Sequence, residues 1–597
     1  MLNKKRFLIT TSDEATWKLD CPIIFLAEWC CKYDRKQLWE SLDYVIAEPY
    51  GLNVSQQDLD RDEILVLEKK LFPFFCELIN QYHNTNYSIK FWKIVLGHWF
   101  RLTLTQLLFR TKVIKQCLQN HNISGCISYS YDRYKITPVF TEEIIDDRLF
   151  EPWRENILNT KILNLLDETN FPIEYIQFNN NDKCNQNLDR KNISDKNKTI
   201  LSLIKLYKNL SKKFVKNTDA LIINTYLPLL EEIKLELSLG QIPQLWKYKD
   251  KISSYSQIKN LKTDNDERDK LTKDFESESN NYFEKIVTKL LFQLLPKIYL
   301  EGLEELTKIV NNQPWPTSPK FIFTSNEFFD NDIFKLWSAF KTEEGTKYFI
   351  GQHGNNYGTK RNTAPRIEEI IPYKFITWGW TSQSSRFVPG FIFKNEKKKY
   401  KFNPKGGLLL IETCYTKHNS TFDERYQYLK YLDDQIKFVS CLTNDQRNKL
   451  TIRLMPEYLI TRWAVRKRWF DFDPKLNIEN GTANISKLIS QNRLVIHSYD
   501  STGMLETLSR NIPTISFWLN CYDHILDEAK PFYKLLVDVG IVHFSSESAA
   551  EKINEVWDNI DDWWNRSDVQ KARKLYCAQY AKTSNNPISE LKEILLS

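Results

Sequence analysis

NRLVIHSYDSTGMLETLSRNIPTISFW, residues 492–518, runs from an apolar strand through a small polar turn into a short helix, then into a second strand led by Pro513. Strand, turn, helix and strand in that order make a βαβ unit, the repeating piece of an α/β fold with a parallel sheet. The turn Ser501-Thr502-Gly503 lies at the carboxyl end of a buried strand, with Glu506 three residues beyond Gly503. Backbone N–H groups and hydroxyls at a helix N-terminus meet partial positive charge there, which suits a phosphate, and Glu506 is within reach of ribose hydroxyls. Equally, Ser501 or Thr502 caps the helix and Glu506 completes a capping arrangement.

Outward from this stretch the same alternation recurs. "LLLIET", "LTIRLMP", "RLVIHS" and "TISFW" are strand-like runs separated by helical ones from about residue 404 onward. The basic, glycine-ended run at 393–407 reads as an interdomain linker. Before it, "RFLITT", "PIIFLAEW", "DYVIAEP", "KFIFTSNEF", "TKYFIGQHG" and "KFITWGW" alternate with amphipathic segments. Polar stretches at 178–200 and 255–282 mark a helical or polar insertion at about 170–290. The expected architecture is α/β and GT-B-like: two Rossmann-like domains facing across a cleft, 1–395 and 404–597, with terminal helices crossing back. Ile553, Trp557, Ile560 and Trp564 share one helical stripe, expected to pack against the first domain.

Ligands of such sheets bind outside the carboxyl ends of the strands. In "YFIGQHGNNYGTKRNTAPR", residues 348–366, His353 follows a strand, and Lys360, Arg361 and Arg366 follow a glycine- and asparagine-rich turn. A histidine there is able to take a proton from an attacking hydroxyl, and the cations to hold phosphate; a structural histidine is the alternative. Arg453 ends the strand "LTIRLMP", either facing a phosphate or paired with a carboxylate. Glu412, Thr413 and Tyr415, with Lys417 and His418 beyond, end the strand before it. Early in the chain Thr10, Thr11, Asp13, Glu14, Glu28 and Trp29 lie at strand ends, as do Glu327, Asp330 and Asp332 later. A carboxylate at these places orients an acceptor, acts as base, or caps the next helix.

A chain of 597 residues exceeds one core. With 42% apolar and 27% charged residues it is an ordinary globular composition, and the +7 net charge is mild for nucleic-acid binding, for which no motif is present. "FWKIVLGHWFRLTLTQLLF" is broken by Lys93, His98 and Arg101, which argues against a membrane span. The N-terminus lacks an apolar signal core, and the expected location is cytoplasmic. The eleven cysteines show no metal spacing and read as buried free thiols; no metal ligands are expected.

"FLITTSDEATW…CPIIFLAEWC", "GQHGNNYGTKR…KFITWGW" and "HSYDSTGMLETLSRNIPTISFWLNCYDHILDEAKPFYKLLVDVGIVHFSSESAAEKINEVWDNIDDWW" resemble a family of transferases encoded in O-antigen and surface-polysaccharide loci of bacteria. The resemblance implies a GT-B glycosyltransferase using a nucleotide-activated sugar. Capsule-type Kdo transferases share Ser501, Thr502, Gly503, Glu506, Leu508 and Pro513, but carry Ala where Thr507 stands, Gly where Asn511 stands, and a His-Pro pair at Met455-Pro456, so Arg453 substitutes for that histidine. Teichoic-acid glycerophosphate polymerases have a His-Gly pair matching His353-Gly354, the histidine acting as base. The resemblance thus implies a metal-independent enzyme that binds no permanent cofactor and takes a CMP-, UDP- or GDP-linked donor as cosubstrate. It implies a glycan or lipid-linked glycan acceptor at the inner membrane. His353, Glu14 and Glu28 are the candidate catalytic residues. Arg453, Ser501, Thr502, Gly503, Glu506 and Lys360 are the candidate donor ligands. Polyol-phosphate transfer from a CDP-linked donor and a non-catalytic glycan-assembly subunit are the alternatives.

Overall fold

The computed structural model describes residues 4–145, 151–178, 211–244, 261–276, 281–361, 365–394, 403–414, 428–456 and 463–597, together with positions 207, 246, 258, 260 and 363. These residues carry three all-parallel sheets. The first comprises β1 (Arg6–Ile9), β2 (Ile23–Phe25), β3 (Tyr44–Ile46), β4 (Ile123–Tyr129) and β5 (Ile173–Ile176), in the order β3-β2-β1-β4-β5. The second holds β6 (Leu221–Ile223), β7 (Phe321–Thr324), β8 (Lys347–Gly351), β9 (Lys374–Thr377) and β10 (Phe387–Pro389), in simple succession. The third holds β11 (Gly407–Ile411), β12 (Leu450–Arg453), β13 (Asn477–Glu479), β14 (Asn492–His497), β15 (Thr514–Phe517) and β16 (Val542–His543). Its order is β13-β12-β11-β14-β15-β16, the Rossmann order, whose direction reverses between β11 and β14.

The α/β, GT-B-like reading therefore stands, and residues beyond the strand ends of both the first and the second sheet touch the unit built on the third. The stretch 1–395, read as one Rossmann-like unit, contains two sheets. Residues 170–290, read as an insertion, supply edge strands to both: β5 to the first and β6 to the second. Strands of four and three residues between polar runs leave too little periodicity to be recognised.

Helix Ile89–Asn120 joins the first two sheets. It is apolar nearly all round because it is covered on several sides, by Val54–His83, Tyr282–Leu294 and Asp332–Glu343 among others. Trp92, Trp99 and Phe100 on it are fully buried. Among the described residues no helix is long and apolar enough to cross a membrane. The terminal helices cross back. Ser567–Tyr580 packs on Thr502–Ser509 and Lys530–Asp538, and Pro587–Leu596 packs on Leu229–Ser238 beside the second sheet. Leu591 and Leu595 are buried in one cluster with Ile222 and Phe323. The stripe Ile553, Trp557, Ile560 and Trp564 does not make this crossing. It is buried within the third unit, with the Trp564 Nε1–H donating to Asn511 and that of Trp557 to Asp445.

Candidate active site at the junction of the second and third sheets

At the reversal point of the third sheet, Glu412 and Thr413 follow β11 and Ser498 follows β14. The Ser498 hydroxyl is 2.7 Å from the Tyr431 hydroxyl, which accepts from the Thr413 N–H at 3.0 Å. Glu412 is buried. One oxygen accepts from Trp469 Nε1 at 3.1 Å, the other has no hydrogen-bond partner, and burial pushes its carboxyl up to about 8. Arg453 ends β12 and lies 3.5 Å from the Glu479 carboxylate, which accepts from the backbone N–H groups of Gly481, Thr482 and Ala483. The ion-pair reading of Arg453 is thus realised, yet its buried Nε–H makes no hydrogen bond.

The turn after β14 is both a cap and a junction. Ser501 is the N-cap of Thr502–Ser509, its hydroxyl accepting from the Met504 N–H at 2.9 Å. Gly503 packs on buried His497: a Cβ there would lie 2.6 Å from the ring Cε1. Thr502 Oγ1 accepts from the Asn355 N–H at 2.9 Å, two residues past His353 in the loop after β8. Asp500 accepts from Asn355 Nδ2 at 2.7 Å, from the Tyr533 hydroxyl at 2.9 Å and from His524 at 3.2 Å. Glu506 lies 3.5 Å from Lys394, and Arg510 donates to the Lys394 carbonyl. The backbone of buried Lys360 bridges to Ile525, extending the same seam. The strand ends of the second and third sheets therefore meet at the two places singled out from sequence.

His353 sits under this seam. Its ring stacks near Tyr226 at 5.9 Å between centroids and packs edge-on against Tyr357 at 5.4 Å. Nδ1 is 3.2 Å from the Tyr357 hydroxyl, which donates to Glu368 Oε1 at 2.8 Å. Burial lowers its pKa to about 4 despite the nearby Glu368 carboxylate, so the ring is neutral at physiological pH. Gly354 faces Thr502: a Cβ there would lie 3.1 Å from Thr502 Oγ1.

The two early carboxylates are elsewhere. Glu14 pairs with Arg35 at 3.0 Å in a half-exposed ion pair. Glu28 faces the third unit's helices Tyr428–Cys441 and Val465–Phe472. Burial pushes its carboxyl up to about 7, against the Leu429 N–H and Arg468, which favour its charge. No contact joins either to His353 among the described residues. Asp13 accepts from Tyr129 and caps the turn at Ala15. Glu327 accepts from Asn224 at 3.1 Å, and Asp332 pairs with Lys335 at 3.0 Å inside the core. Tyr415, Lys417 and His418 lie outside the described residues. Among the described residues no three His, Cys, Asp or Glu side chains gather to hold a metal ion. Sequence reasoning passed over Asn355, Tyr357, Glu368 and Asp500. Asn355, Tyr357 and Asp500 lay inside the quoted stretches, and Tyr357 stands four residues after His353.

The sequence profile of the LIC12162 family transferase matches residues 6–595. The chain belongs to that family of transferases. The expectation of a group-transfer enzyme is met at this level. No curated protein matches the chain. Among solved structures it is similar to S. aureus MnaA with UDP, at 11% identity and TM-score 0.35 over 64% of this chain and 98% of that one. It is similar to the spinosyn rhamnosyltransferase SpnG with thymidine diphosphate, at 10% identity and TM-score 0.32 over 63% and 100%. It is similar also to the wall teichoic acid polymerase TagF soaked with CDPG, at 11% identity and TM-score 0.31 over 68% and 98%.

Proposed function

We propose that the protein transfers a sugar from a nucleotide-activated donor, CMP-, UDP- or GDP-linked and including a Kdo-like sugar, to a growing O-antigen or other surface glycan. The observation that carries this reading is the meeting of the loop after β8, which carries His353 and touches Thr502 through Gly354 and Asn355, with the Thr502–Ser509 helix N-terminus at the end of β14. The unit from about 404 onward holds the nucleotide, and the part before 395 presents the acceptor.

The hydroxyl of Thr502 accepts from Asn355 but keeps its own proton to donate, so it and the first N–H groups of the helix suit a phosphate oxygen. Ser501 shapes that end as its cap. Arg453, with one unfilled buried donor, offsets charge on the leaving phosphate, and Glu506 reaches the ribose. The acceptor hydroxyl gives its proton to neutral His353, its oxygen bonds to the anomeric carbon, and the bond from that carbon to phosphate oxygen breaks with its electron pair leaving on the nucleotide. A lipid-linked acceptor would bring the enzyme to the cytoplasmic face of the inner membrane.

Thermal-shift titration with CMP, UDP and GDP tests the donor site. A saturable rise in Tm with one of them is expected. No rise with any refutes it. A phosphodiester rather than a glycosidic bond in the product would replace sugar transfer by polyol-phosphate transfer.

A further inference from the structure

Below His353 lies a buried chain of polar groups. Tyr357 OH touches His353 Nδ1 at 3.2 Å on one side and Glu368 Oε1 at 2.8 Å on the other. A phenol has one proton. Burial works against charge on Glu368, but the Arg366 guanidinium, a backbone N–H and the Tyr357 hydroxyl hold its carboxyl below the usual range, so it only accepts. Burial and the same carboxylate keep the Tyr357 proton on its oxygen. The phenol proton therefore points to Glu368, and the phenol oxygen is left to accept from His353.

We propose that Glu368 and Tyr357 are positioning residues that hold His353 with its proton on Nδ1, leaving the Nε2 lone pair to take the acceptor proton. This rests on the reading of His353 as the base. The chain is built to stay put. Glu368 lies on the short helix Ile367–Ile370, whose first turn is closed by the Arg366 N–H donating to the Glu369 carboxylate at 2.7 Å and the Glu369 N–H donating to the Arg366 carbonyl at 3.1 Å. The Arg366 guanidinium lies 4.1 Å from the Tyr357 ring centroid and 4.0 Å from Glu368, pinning both. The Ser325 carbonyl only accepts, so it competes with the Tyr357 oxygen for the ring proton. Burial, Arg366 and Lys394 disfavour a protonated ring, while Glu368 and that carbonyl favour it. Tyr226 covers one face. Once Nε2 gains a proton, the new charge sits one phenol away from the Glu368 carboxylate, which offsets it without leaving its place.

The tautomer is readable without knowing the substrate. In protein labelled with 15N-histidine, the His353 resonances, assigned by their loss in His353→Ala, should show a protonated Nδ1 and a bare Nε2 at neutral pH. Tyr357→Phe should give a mixture or the opposite tautomer. Glu368→Gln, which frees the phenol proton to turn, should do the same in a fold less dependent on Tyr357. Transfer by either variant should fall roughly 10–100-fold in kcat with donor KM little changed, as for other partners that orient a working imidazole. That loss should vanish in the His353→Ala background. A protonated Nε2 in the wild type, or an unchanged tautomer in both variants, overturns the proposal. If His353→Ala transfers at full rate, the base reading itself has failed. If His353→Ala is inactive while Tyr357→Phe transfers at the wild-type rate, the base stands and the positioning role is overturned.

Discussion

Asp500 ties the two sheets together, and its removal gives the sharpest stability test. The carboxylate is 7% exposed and accepts from Asn355, Tyr533 and His524, themselves at most 6% exposed. Asp500→Ala leaves these buried donors without their acceptor, each worth about 1–3 kcal/mol if nothing replaces it. His524 has other interactions and water will reach part of the hole, so the full sum is not realised. A loss of about 3–5 kcal/mol is expected, as for breaking other buried charged networks. For a cooperative unit the size of the third sheet with its helices, that corresponds to a fall in Tm of about 6–20 °C. Asp500→Asn keeps an oxygen for Asn355, lets the Tyr533 hydroxyl rotate toward it, and lets His524 switch tautomer. It should cost about half as much. Differential scanning fluorimetry on the two variants decides. Asp500→Ala within about 2 °C of wild type, or Asp500→Asn as damaging as Asp500→Ala, refutes the assignment of the seam to this network.

His353→Ala should lower transfer by about 10²–10⁴-fold while leaving Tm near the wild-type value, measured with whichever donor the titration identifies. Gly503→Ala gains helix propensity but drives a methyl into the buried His497 ring, and a net loss of about 1–2 kcal/mol is expected in chemical denaturation. Leu591→Ala empties a fully buried site under the second sheet and should cost about 2–5 kcal/mol and free the terminal helix to proteolysis. Stability should peak in mildly acidic solution. Buried His98, His353 and His497, with folded values of about 4, 4 and 3 against 6.5 unfolded, add stability that is full above 6.5 and lost as pH falls through the folded values. Glu28, Glu369 and Glu412, raised to about 7, 7 and 8 from 4.5, add stability that is full below 4.5 and lost as pH rises through the folded values. Tm across pH should therefore fall at both ends, and Glu412→Gln should flatten the alkaline limb.

The two strand ends that build the candidate site were legible because long apolar runs stop there at glycine-rich turns. The "LVIHS" and "YFI" runs announce buried strands, and Gly503 and Gly354 mark close approach, in the one case to His497 and in the other to Thr502. What the turn hydroxyls touch was not legible. The Asn355–Thr502 bond joins residues 147 apart in sequence, and no local pattern encodes such a pairing. The roles of Glu14 and Glu28 were not legible because strand-end carboxylates of an active site and of an ion pair have the same local sequence. Their neighbours, Arg35 and the Tyr428–Cys441 helix, come into view only on folding. The number of sheets was missed for a related reason. The short β6 pairs with β7 across a gap of nearly a hundred residues filled by helices and polar runs, so its membership rests on tertiary contact alone.

Each of the three parallel sheets has a carboxyl edge at which a nucleotide could bind, and the position of a bound nucleotide separates them directly. In a crystal soaked with the nucleotide that raises Tm, a phosphate oxygen should lie about 3 Å from the backbone N–H groups at Thr502 and Gly503, with the sugar-bearing end turned toward His353. Phosphate density at the carboxyl edge of the first sheet, beside Thr10 and Tyr129, with the Thr502–His353 junction empty, would contradict the central claim.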